Sequence, residues 1–145
     1  MKIRNILLIL LVSGCSMSTK QVEIPKTQTV IPTAHEYKEI SDYELNQETI
    51  FDVDEDFYYV YLYSTTCTHC EELKDYIIGK ALERGDIYFV KGSSKDQITN
   101  DPKKAIGAEK PEDIWILGYP SLLQISNHKC TKNLAGTTQI KEELK

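Results

Sequence analysis

The apolar and polar positions divide the chain into three stretches of different period. Ile6–Val12 is an unbroken apolar run. Ser16 to about Glu39 is polar, carries Pro25 and Pro32, and follows neither a helical nor a strand period, so it reads as a tether. Beyond it the pattern becomes that of a folded domain. Ser41 with Glu44 three residues on makes a capping-box pattern, which predicts a short helix over Asp42–Thr49. Asp52, Asp54, Glu55 and Asp56 form an acidic, solvated turn; no glycine sits where a calcium loop needs one. Phe57–Tyr63 is a run of β-formers. Leu73, Tyr76, Ile77 and Leu82 then recur at helical spacing until Arg84-Gly85.

The second half alternates in the same way. Ile87–Val90 predicts a strand and Gly92–Asn100 a polar loop. Pro102 suits the first turn of a helix over Lys103–Glu109, which Pro111 ends. Ile114–Leu117 leads into Gly118-Tyr119-Pro120. Ser121–Ser126 and Cys130–Leu134 predict two strands joined by a turn at Asn127-His128-Lys129, and Thr137–Leu144 a closing helix capped by Thr137. Strands separated by helices imply parallel pairing, and the last two strands an antiparallel hairpin. The class is α/β, with a central mixed sheet of about four strands flanked by helices. The roughly 105 residues from Ser41 onward form one domain with a modest core.

Charge and the first fifteen residues change the picture. Lys2 and Arg4 precede the apolar run, which is shorter than the about 20 residues that span a bilayer and matches a secretory signal. Val12-Ser13-Gly14-Cys15 resembles a bacterial lipoprotein signal, in which the cut falls before the cysteine and the cysteine carries lipid. An ordinary signal peptide with an incidental cysteine is the plainer alternative. The division implied is a signal over residues 1–14, a lipid-anchored linker over 15–40 and a domain over 41–145. Without the signal, 15 basic residues face 22 acidic ones, a net charge of −7. Such a domain has no electrostatic basis for binding nucleic acid or anionic headgroups, so attachment would come from the acyl chains of Cys15. The expected location is the extracytoplasmic face of the cell membrane, where disulfides persist.

The chemistry lies at one join. Cys67 and Cys70 stand three apart where the strand Phe57–Tyr63 gives way, through Ser64–Thr66, to the helix. The first turn of a helix offers unpaired N–H groups and the positive end of the dipole, which stabilise a thiolate. A second cysteine one turn on is close enough to close the ring and release the product.

The element order, with C-x-x-C after the long strand and an X-Pro before the hairpin, resembles the thioredoxin superfamily over about Ser41–Lys145. The resemblance implies a thioredoxin-like three-layer sandwich and a thiol–disulfide oxidoreductase. It implies Cys67 as nucleophile, Cys70 as resolving cysteine, Pro120 as a cis-proline and Tyr119 as the residue whose backbone pairs with substrate; a trans Pro120 opening an edge strand is the alternative. The chain also departs from the pattern. Thr66 stands where many reducing members have Trp, and Tyr61 where they often carry a buried acid. Thr68-His69 lies between the cysteines, and His69 resembles the histidine of oxidising relatives, tuning the Cys67 thiolate. The plainer reading of His69 is an exposed residue of little effect. The direction of electron flow stays open.

Partners implied are cysteine-containing exported proteins and a separate redox partner; no cofactor is called for. Two rival readings of the sequence remain. Cys67, Cys70, His128 and Cys130 would make a legal ligand set for zinc or copper(I), although nothing in the spacing brings the hairpin to the helix. The other rival is an accessory protein of a secretion or cell-envelope complex that keeps the fold without turnover. Cys130 is either a small buried residue or an extra thiol. Tyr59, Tyr61 and Tyr63 either fill the core or line a peptide groove beside the dithiol.

Overall fold

The computed structural model describes residues 34–145. Cys15, the signal and most of the linker lie outside the described residues. The first described element is a 3-10 helix over Tyr37–Tyr43, started by a capping box between Glu36 and Glu39. It leads into a two-residue strand β1 (Glu44–Leu45), and Asn46 then caps a 3-10 turn over Gln47–Thr49 by accepting from the Thr49 N–H. The helix expected over Asp42–Thr49 is therefore absent. Its residues find better partners: Glu44 and Leu45 pair with Phe89 and Val90 at the sheet edge.

Strand β2 (Phe57–Tyr63) ends at the turn before helix α1 (Thr68–Arg84). Gly85 stops α1 in the left-handed conformation (φ 77°), its N–H reaching the Ala81 carbonyl. Strand β3 (Ile87–Lys91) follows. The expected loop after Gly92 holds a two-residue strand β4 (Gln97–Ile98), which pairs in parallel with β5 (Trp115–Ile116) as a separate small sheet. Residues 102–107 are turns, not the helix expected over Lys103–Glu109. Gly107 takes φ 91°, and its N–H bonds the Cys130 carbonyl, a bond that pins this segment to the hairpin. Pro111–Asp113 is one 3-10 turn. Strands β6 (Ser121–Ser126) and β7 (Lys129–Ala135) form the hairpin, and helix α2 (Thr137–Glu143) closes the chain. The hairpin turn holds two residues rather than three: Asn127 and His128 both have positive φ, and Lys129 already belongs to β7. Gly136, not Thr137, is the α2 cap.

The main sheet runs β1-β3-β2-β6-β7. Pairing is parallel for β1 with β3 and β3 with β2, and antiparallel for β2 with β6 and β6 with β7. It has five strands instead of about four because Glu44–Leu45 extends the edge.

Strand β2 is buried on both faces, so its alternation sorts residues between two cores. Tyr59, Tyr61 and Tyr63 meet Leu73, Ile77, Ile78 and Ala81 of α1, with Ile140 and Leu144 from the C-terminal end. Tyr58, Val60 and Leu62 meet Ile50, Ala105, Ile114 and Ile116. Fully burying a Leu or Ile side chain is worth about 1.5–3 kcal/mol, so Leu73, Ile77 and Ile78 together hold α1 against the sheet. The three tyrosines fill the core rather than line a groove. Helices α1 and α2 both cover one face, while turns and the small sheet form the third layer.

Candidate functional site

Cys67 is the N-cap of α1. Its sulfur accepts a hydrogen bond from the Cys70 N–H at 3.2 Å, while its carbonyl accepts from Cys70 and Glu71. An N–H bond to sulfur strengthens when the sulfur carries charge. The local sequence builds this directly. Ser64 ties down the turn, its hydroxyl accepting from the Thr66 N–H and its carbonyl from the Cys67 N–H. Cys67 is half-buried, and Cys70, one turn into the helix, is buried in the α1 core. Burial, and next the hydrogen bond with Cys67, push the Cys70 thiol up to about 12.

Across from the pair, the Tyr119–Pro120 peptide bond is cis. The Cys67 thiol donates to the Tyr119 carbonyl oxygen at 3.4 Å. The Tyr119 ring is anchored by its hydroxyl, which donates to Asp96. It lies over Gly92, where any Cβ would overlap the ring. Burial, then the Asp96 contact, raise the Tyr119 hydroxyl well above the usual phenol range. Cys67, Cys70, Tyr119 and Pro120 are thus brought together. His69 sits on the same helical turn, but its ring is turned to solvent and to Glu72 (Nδ1–Oε2 3.1 Å). A cleft of about 290 Å³ lies between His69 and Ala135–Gln139; neither Cys67 nor Cys70 lines it.

Sequence reading missed two groups. Asp96 and Gly92 hold Tyr119, and no local pattern marks either, because both act through a residue more than twenty positions away. Tyr37 lies in what reads as linker, yet its ring stacks on Tyr63 (centroids 4.2 Å apart) and packs on the core containing Cys70. Its hydroxyl and that of Tyr61 are buried without a hydrogen-bond partner.

The four-residue metal set does not assemble. Cys67 and Cys70 belong to the α1 core, whereas Cys130 is buried in the opposite one and His128 bonds the Phe51 carbonyl. Among the described residues no group of three or more His, Cys, Asp or Glu side chains is placed to hold a metal ion. Cys130 is wholly buried, its thiol donates to the Lys132 carbonyl, and burial pushes it up to about 12.

No protein-family model matches the chain, and no curated protein matches it. Similar solved structures include thioredoxin f2 of Chlamydomonas reinhardtii, 15% identical, covering 69% of this chain and 88% of that one with a TM-score of 0.44. Plasmodium falciparum thioredoxin is 11% identical over 70% of this chain and 94% of its own, TM-score 0.46. The long form of spinach chloroplast thioredoxin f is 14% identical over 76% and 91%, TM-score 0.47. The chain's own strand order, the cysteine pair at the start of α1 and the cis peptide before β6 agree with the arrangement that the sequence resemblance implies. The fold is thioredoxin-like. A half-exposed thiol at a helix N-terminus with a buried thiol one turn on supports thiol–disulfide exchange.

Proposed function

We propose that this chain is a membrane-tethered, extracytoplasmic thiol–disulfide oxidoreductase acting on cysteines of exported proteins. The observation that carries the reaction is the Cys67 sulfur, half-exposed, bonded by the Cys70 N–H and lying against the Tyr119 carbonyl. The Cys67 thiolate attacks a substrate disulfide. A Cys67–substrate bond forms, the substrate S–S bond breaks, and the departing substrate thiolate takes a proton. Cys70 then attacks the Cys67 sulfur, closing the Cys67–Cys70 disulfide. The second substrate thiolate leaves with the electron pair and a proton, which balances the proton lost from Cys70. Two electrons have passed from the dithiol to the substrate; the oxidising direction is the reverse.

Membrane tethering and exported substrates are supported by Lys2, Arg4, the run Ile6–Val12 and Cys15. Among the described residues no helix is long and apolar enough to cross a membrane. A separate redox partner would reset the pair.

Dithiothreitol-coupled reduction of insulin by the full chain tests the reading. The wild type should accelerate precipitation of the insulin chains and Cys67→Ser should not; activity retained in Cys67→Ser overturns it. The potential of the pair assigns direction. A value of about −120 to −180 mV marks an oxidant or isomerase, and about −270 mV a reductase.

A further inference from the structure

Six of the nine tyrosine hydroxyls find partners: Tyr58 with the Ile50 carbonyl, Tyr59 with Glu143, Tyr63 with Glu44, Tyr76 with the Lys141 carbonyl, Tyr88 with Glu55 and Tyr119 with Asp96. The two that are buried and lack one, Tyr37 and Tyr61, both pack in the core that holds Cys70. A buried hydroxyl without a partner is costly, so two of them in the core around Cys70 call for a state in which they are satisfied.

We propose that the Tyr61 and Tyr37 hydroxyls form a donor pair for the Cys70 thiolate, the species that attacks the Cys67 mixed disulfide. This rests on the oxidoreductase reading. With Cys70 as a neutral thiol, the Tyr61 hydroxyl lies near the sulfur but has no hydrogen-bond partner. When Cys70 loses its proton, the sulfur becomes a strong acceptor and the waiting O–H groups turn to it. Donors already in place where charge develops need little reorganisation.

The Ser64 backbone already favours the charged sulfur, and among the side chains facing Cys70 that task falls to tyrosine. Cys67 faces it from the same helix, Tyr61 from β2, Tyr37 from the first 3-10 helix and Tyr119 from the loop before β6. Glu71 lies near Tyr37, and no cation is among the charges acting on Cys70. Burial, then the neighbouring Cys70, hold both tyrosine hydroxyls far above the usual phenol range. They therefore keep their protons and serve as donors, not bases. Tyr61 alone of the two acts on Cys70 to favour its charged form, so it is the stronger member.

The test follows two releases from one reagent. Reduced full chain carrying Cys15→Ser is mixed with one equivalent of 5,5′-dithiobis(2-nitrobenzoate). The first thionitrobenzoate reports attack by Cys67, and the second reports attack by Cys70. Tyr61→Phe should leave the first release unchanged and slow the second about tenfold at neutral pH, with its pH profile displaced upward. Tyr37→Phe should do the same to a smaller degree. The reduced Tyr61→Phe protein should be no less stable, because an unpartnered hydroxyl has been removed. A second release unchanged in both variants, or both releases slowed alike, overturns the proposal and leaves the oxidoreductase reading standing. A wild type that releases only one equivalent overturns both.

Discussion

The Tyr119 carbonyl oxygen lies 3.4 Å from the Cys67 sulfur, joining positions 52 apart in the chain. The exposed cysteine and the residue before Pro120 therefore form one surface, and whatever fixes Tyr119 also fixes the mouth of the site. Its ring is held by Asp96 on one side and by the bare backbone of Gly92 on the other.

Gly92→Ala should consequently displace the Tyr119 ring. Overpacking of this kind costs about 1–3 kcal/mol, read as a lower urea midpoint. The same substitution in a Tyr119→Ala background should cost much less, since the Cβ then has space. Additive losses in that double-mutant cycle would show that Gly92 serves something other than the ring.

Cys70→Ser should stop the reaction half-way. With no second thiol to attack, Cys67 should remain joined to substrate, and mass spectrometry should find a stable one-to-one adduct reversed by dithiothreitol. Adding Cys67→Ser should abolish the adduct. An adduct that persists in that double variant would place the attacking sulfur elsewhere.

Alkali should weaken the reduced protein. Cys70 and Cys130 rise from about 9 to about 12 on folding, chiefly by burial. Tyr58, Tyr59, Tyr63 and Tyr88 rise to about 12 from an ordinary value of 10, again chiefly by burial. In each case the folded state holds a proton that the unfolded chain releases, so stability is complete below pH 9 and falls as pH climbs toward 12. The urea midpoint should decline across that window, and Cys130→Ala should make the decline shallower. A midpoint unchanged between about pH 8 and about pH 11 would contradict this account.

Cys15→Ser should move the protein from the membrane to the soluble fraction of cells. A variant that stays with the membrane would remove lipid on Cys15 as the tether.

The strands of the core and the long helix were legible because their signals are redundant. Phe57–Tyr63, Ser121–Ser126 and the segment ending at Gly85 each combine period, propensity and a terminator. The expected helices over Asp42–Thr49 and Lys103–Glu109 had only a cap or an opening proline. Tertiary demands prevailed there: β1 satisfies the edge of β3, and Gly107 is needed to bond β7. At the site, Cys67, Cys70 and Pro120 were visible as local motifs. Tyr37, Gly92 and Asp96 were not, since their importance exists only across the fold.

The placement of Cys130 has a consequence for how the chain can go wrong. Among the described residues, Cys67, Cys70 and Cys130 allow three intramolecular pairings, and each wrong one would be a trap on oxidation. The central sheet stands between Cys130 and the other two, with Cys70 in one core and Cys130 in the other. Once the sheet has formed, a single one of these three pairings is within reach, so the fold itself proofreads the oxidation of these thiols.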